Sequence, residues 1–161
     1  MRKFTVAVVL LIVLVGLPIG SWYYLQTGFN YRKEALEYLK PKGEITIEDQ
    51  SLELKNYTTL IQLNEDHEEL LKKVYDQYSS SNTFQLFSTI DPIENRSNWK
   101  ELSESSLSSL KMEHESDFLL IDTEGQLRGE YIADKAGIKT MIEHISIVLP
   151  RVKEKDIKIK R

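Results

Sequence analysis

No cysteine occurs anywhere in the chain. Disulfide stapling is therefore excluded, and with it thiol–disulfide exchange, thiolate nucleophiles and thiolate metal ligands. A glycine-rich phosphate loop and a dinucleotide fingerprint are also missing. The serines at 79–81 and 103–109 stand in no motif with a matching histidine and base; loops and a polar helix face explain them. Carboxylates cluster at Glu65, Asp66, Glu68 and Glu69, but side by side rather than across a cleft, so acid–base hydrolysis has no support. No catalytic site is legible.

Charge is missing from the start of the chain. Residues 1–30 carry Arg2 and Lys3 and no acid, and nothing from Phe4 to Tyr31 is charged. The other 131 residues hold 19 basic and 25 acidic side chains, a net charge of −6. That balance argues against a nucleic-acid partner, which needs a basic face. The end of the chain reverses the sign: residues 150–161 have a net charge of +4. Two readings fit this basic C-terminal tail, a solvated run and a weak contact with anionic lipid or an acidic partner.

Phe4 to Ile19 contains twelve residues of the Leu, Ile, Phe and Val class. These favour bilayer insertion by roughly 4–7 kcal/mol. A helix from Phe4 to Leu25 is about 33 Å long, a match for the ~30 Å hydrocarbon layer. Gly16, Pro18 and Gly20 are tolerable in such a helix, and Trp22, Tyr23 and Tyr24 supply an aromatic belt at the far interface. Residues 1–26 thus read as a transmembrane anchor. The positive charges before the span place the N-terminus in the cytoplasm and the rest outside a bacterial inner membrane. A cleaved signal peptide is the competing reading, but Leu17-Pro18-Ile19-Gly20-Ser21 is a poor cleavage site.

Residues 27–43 read as a connector with a short helical pattern at 31–39, closed by Pro41 and Gly43. Ile45-Thr46-Ile47 and Leu52-Glu53-Leu54 alternate as the strands of a hairpin do, around a polar turn at 48–51. A buried strand follows at 58–63. Asp66 opens a helix, with Glu69 completing a capping box and Leu70, Leu71, Val74 and Tyr78 on one face. A strand at 83–90 ends at Asp91-Pro92. Asn98 is placed to cap a helix from Trp99 to about Leu110. Phe118–Ile121 and Gln126–Ile132 form a second hairpin around Asp122-Thr123-Glu124-Gly125. The last helix, about Lys135 to Val148, turns Ile138, Met141, Ile142, Ile145 and Leu149 inward before Pro150. The strand–helix–strand unit followed by a hairpin and a helix is an α/β arrangement. It predicts a thioredoxin-like mixed sheet flanked by helices over 44–149, preceded by one transmembrane helix.

The run Asp-Phe-Leu-Leu-Ile-Asp-Thr-Glu-Gly-Gln-Leu-Arg-Gly-Glu-Tyr at 117–131 resembles the closing hairpin of the Sco proteins. Phe84 to Pro92, with Ser88 and Asp91-Pro92, resembles their second core strand and its exit. Sco proteins are membrane-anchored, thioredoxin-fold copper chaperones used in assembling cytochrome c oxidase. The resemblance, over about 44–149, implies an extracytoplasmic protein with partners among respiratory-complex assembly proteins. It also exposes a departure. Sco proteins hold copper with a Cys-x-x-x-Cys pair at the start of the first core helix and a distant histidine, whereas here that loop is Leu63-Asn64-Glu65-Asp66-His67-Glu68-Glu69.

Only the histidine has a counterpart, His114, seven residues before Ile121. A copper site without thiolates would draw on His114, the thioether of Met112 and His67 from the helix start. The plainer reading makes His114 a loop residue and His67 a first-turn residue among helix-stabilising acids; His144 reads as an ordinary packed or surface histidine. Three functions compete: a non-catalytic accessory or docking factor in respiratory oxidase or copper-site assembly, a weak His/Met copper carrier, and an extracytoplasmic protein-binding scaffold unrelated to copper.

Overall fold

The computed structural model describes residues 2–47, 52–64, 67–90 and 98–150. It divides into two units, residues 1–38 and 39–161.

The first unit is a single helix, α1 (Arg2–Tyr38). It is long and apolar enough to cross a membrane, with a mean hydropathy of 2.1 over its most apolar window. Its Leu, Ile and Val side chains from Val8 to Ile19 are exposed, as are Trp22, Tyr23 and Tyr24. The helical pattern at 31–39 is not a separate element in a connector: it continues α1. Uncharged residues around Gly28 do not interrupt the backbone hydrogen bonding, so helix persists to Tyr38.

The second unit is a five-stranded sheet covered by helices on both faces. Its elements are β1 (Thr58–Gln62), α2 (Glu68–Tyr78), β2 (Phe84–Ser88), β3 (Trp99–Glu101), α3 (Glu104–Glu113), β4 (Phe118–Ile121), β5 (Leu127–Tyr131) and α4 (Lys135–Val148). The strand order is β3-β2-β1-β4-β5. β1, β2 and β3 run parallel, while β4 is antiparallel to β1 and to β5. The four strands β2-β1-β4-β5 with α2, α3 and α4 are a thioredoxin-like mixed sheet, and β3 extends it at one edge.

Alternation along each strand sorts the core into two layers. Leu60, Phe84, Leu86, Phe118, Leu120 and Tyr131 face α2 and α4, which contribute Leu71, Val74, Tyr75, Tyr78, Met141 and Ile145. Ile61, Leu63, Phe87, Leu119 and Ile121 face α3, which contributes Leu107 and Leu110. Burial of these side chains, at about 25 cal/mol per Å² of apolar surface, drives the folding of the unit.

Three sequence expectations need correction. The hairpin at 45–54 does not form within the described residues. Ile45, Ile47, Leu52 and Leu54 do turn inward, onto the α3 side of the sheet, but their segments pack as coverings rather than pairing with each other. Gln85 ties the second one down, donating through Nε2 to the Glu53 carbonyl at 2.6 Å and to Thr59 Oγ1 at 2.8 Å. The alternation was real, and its cause was a buried face rather than a ladder.

The helix expected from Trp99 begins at Glu104 instead, capped by Ser103, whose side chain accepts from the Ser106 amide. Trp99 pairs with Leu86 in β3, where its indole is buried beside Tyr75 at a ring separation of 5.7 Å and donates to Ser88 Oγ at 2.8 Å. A large buried indole with a satisfied N–H outweighs the helical alternative.

α2 starts at Glu68, and its N-cap position is His67, whose side chain makes no capping hydrogen bond. Asp66, the polar turn at 48–51, Asp91-Pro92 and the tail beyond Pro150 lie outside the described residues. α4 occupies Lys135–Val148 as read, with Asp134 accepting from the Gly137 amide. Met141 and Ile145 are buried, and Ile138, Ile142 and Leu149 are half-buried.

Candidate functional site

Parallel strands leave a crevice beyond their carboxyl ends, where loops and a helix N-terminus meet. Here β1 ends at Gln62, β2 at Ser88, and β4 starts beside them at Phe118. This end of the sheet therefore gathers Leu63-Asn64, His67, Thr89 and the 114–117 loop.

Asp117 organises the junction. Its carbonyl accepts from the Leu63 amide at 2.8 Å and its own amide donates to the Tyr131 carbonyl at 2.9 Å. Its carboxylate accepts from Asn64 Nδ2 and, at 2.6 Å, from the Ala133 amide. One side chain thus joins the exit of β1, the entry of β4 and the exit of β5. Asp117 lies in the run that carries the family resemblance, but no local motif marks this role: its partner Asn64 is 53 residues away.

The three candidate ligands have separate surroundings. His67 leans on Phe118, with ring centroids 6.0 Å apart, and Phe118 belongs to the core layer under α2 and α4. His114 ends α3 as its C-cap, and its Nδ1 lies 3.5 Å from a Glu130 carboxylate oxygen. Glu130 pairs across the ladder with Leu119, which belongs to the opposite layer. Cross-strand partners share a face, so His67 and His114 meet opposite faces of the sheet. Met112 is 84% exposed. Among the described residues no group of three or more His, Cys, Asp or Glu side chains is placed to hold a metal ion. The residues present do not assemble the thiolate copper centre that the Sco resemblance implies.

His144 is neither a surface residue nor a site member. It is buried, and its Nδ1 lies 2.9 Å from the Tyr131 hydroxyl. Burial lowers its pKa; the nearby Glu143 carboxylate opposes that shift and the Lys42 ammonium adds to it.

At the start of α2 a cleft of about 430 Å³ is lined by His67, Glu68, Glu69, Leu70 and Lys73. Glu68 is paired with Lys72 one turn on. The crevice therefore combines a helix N-terminus that the His67 side chain does not cap with acidic side chains, and the sequence has no thiol, which rules out the exchange chemistry of a redoxin.

The crystal structure of a SCO1/SenC family lipoprotein from Bacillus anthracis str. Ames is similar to this chain, with a TM-score of 0.43 and 15% sequence identity over 68% of this chain and 97% of that one. No family model and no curated protein matches the sequence. The thioredoxin-like assignment rests on the strand order and directions.

Proposed function

We propose that this protein is a membrane-anchored, non-catalytic docking factor built on a Sco-like thioredoxin scaffold. The observation that carries the reading is the Asp117 junction. Where a redoxin presents reactive sulfur beyond β1, this chain has an Asn64–Asp117 hydrogen bond that closes one loop onto the other. A scaffold that keeps its loops and lacks its nucleophile is suited to recognition rather than turnover. α1 supplies an apolar span fit to hold it at a bilayer, with the N-terminus in the cytoplasm and the sheet outside. The hairpin at 117–131, by its resemblance to the Sco proteins, directs the proposal towards assembly of a respiratory oxidase.

The test uses the full chain in its own membrane. Crosslinking in place, followed by solubilisation and capture, is expected to recover an oxidase subunit or an assembly factor. Recovery of neither would remove the oxidase role. A thiol–disulfide exchange assay with dithiol substrates is expected to stay at background, and clear turnover would overturn the non-catalytic reading.

A further inference from the structure

Sulfur occurs in this chain as thioether alone: there is no cysteine, and the methionines are Met1, Met112 and Met141. Met1 lies outside the described residues. The other two have opposite surroundings. Met141 is 0% exposed, in the core layer that also holds Tyr131 and Ile145. Met112 is 84% exposed, in the last turn of α3.

The sequence of α3 explains that exposure. Leu107 and Leu110 are its buried apolar side chains, and Met112 follows Leu110 by two residues, about 200° further round the helix. A helical side chain leans towards the N-terminus, over the residues three and four positions before it. For Met112 these are Ser109 and Ser108, which are short. Their hydroxyls turn back onto their own helix, donating to the Ser105 carbonyl at 3.1 Å and to the Glu104 carbonyl at 2.8 Å. In the other direction α3 stops at Glu113, one residue on, so no further helical turn covers the side chain. The thioether is bare to water.

We propose that Met112 is an oxidative modification site, a thioether that takes an oxygen atom from a peroxide while the domain stays folded. The sulfur lone pair attacks one oxygen of hydrogen peroxide, and the S–O bond forms as the O–O bond breaks. The departing hydroxide takes the proton from the transferred oxygen and leaves as water. Sulfur, oxidised by two electrons, is left as the sulfoxide. No thiolate competes for the oxidant, because the chain has no cysteine. The polar product sits in water, so the core bears no cost. The same change at Met141 puts an unpaired oxygen among apolar side chains, and reaching that sulfur requires the unit to open first. Outside α1 the large apolar side chains left exposed among the described residues are Met112 and Ile132. Oxidation turns one of these two polar, which alters the surface of the domain without altering its fold. The inference stands apart from the docking role proposed above.

The experiment treats the full chain, in peroxide-free detergent micelles, with hydrogen peroxide and follows oxygen uptake by mass spectrometry after trypsin. Met112 and Met141 fall in separate peptides, 112–128 and 140–151, and Met1 in neither. The 112–128 peptide is expected to gain one oxygen at least about tenfold faster than the 140–151 peptide, and within about threefold of the rate of a free methionine amide. With Met112 converted and Met141 intact, the thermal midpoint is expected to stay within about 2 °C of the untreated chain. Urea below the unfolding transition should speed Met141 and leave Met112 within about twofold of its rate. Met112→Leu is expected to abolish uptake in its peptide, which assigns the oxygen to the thioether. Similar rates at Met112 and Met141, or uptake that persists in the Met112→Leu peptide, would overturn the inference. So would a larger fall in the midpoint once Met112 alone is oxidised.

Discussion

The Tyr131 hydroxyl lies 2.9 Å from Nδ1 of His144, joining the last strand to the last helix through a buried polar contact. The imidazole is held neutral there because burial disfavours its charged form. With the proton on Nε2, Tyr131 donates and Nδ1 accepts.

That contact makes stability depend on pH. In the unfolded chain His144 titrates near its ordinary value of about 6.5, and in the folded chain it titrates lower. Above about 6.5 the group is neutral in both states and stability is full. As pH falls, the unfolded chain takes up the proton first, so stability declines until the folded pKa is passed. Thermal midpoints at pH 7.5 and 5.0 are expected to drop less in His144→Gln than in the wild type. An identical drop would remove His144 from the account.

Gly129 sits under the ring of Tyr131. A Cβ at this position would lie 2.1 Å from the tyrosine hydroxyl, so Gly129→Ala must push Tyr131 away from His144. A loss of about 1–3 kcal/mol is expected, as for other overpacked sites. Chemical denaturation checks it, and the penalty should shrink in a Tyr131→Phe background, where the closest obstacle is gone.

Ser88 Oγ accepts from the Trp99 indole at 2.8 Å and donates to the Ile90 carbonyl at 3.1 Å. Ser88→Ala deprives a buried indole of this acceptor, which costs about 1–3 kcal/mol. Unfolding followed by tryptophan fluorescence measures it.

Asp117→Ala removes the acceptor shared by Asn64 and the Ala133 amide. Hydrogen bonds to a charged group are worth about 1.5–3 kcal/mol each, so losing both puts the expected loss at about 3–6 kcal/mol. Amide exchange at Ala133 should accelerate more than at the centre of β1, because the junction opens before the core does. Uniform acceleration would show that Asp117 acts on global stability alone.

Particular residues explain how much of this was legible. α4 was readable to its ends because the 3.6-residue apolar period and Pro150 are local signals. The hairpin β4–β5 was readable because Phe118–Ile121 is uniformly apolar and Gly125, at φ +83°, occupies a turn position that other residues resist. Trp99–Glu101 was not, since three residues carry no period and a nearby asparagine offered a plausible cap. The segments at 45–47 and 52–54 showed which side chains turn inward but not what covers them. The site was less legible still. Its organising carboxylate bonds to residues 53 positions before it and 16 after it.

The backbone at 42–45 lies along the outer side of β5: Lys42 donates to the Leu127 carbonyl at 2.9 Å, Leu127 donates to the Gly43 carbonyl at 2.8 Å, and Ile45 donates to the Gly125 carbonyl at 3.3 Å. That flank of the sheet is thereby occupied where β5 begins. The opposite flank, β3, is only three residues long. Exposed strand flanks are where neighbouring copies of a protein zip together. A bordered sheet lets them crowd without fusing.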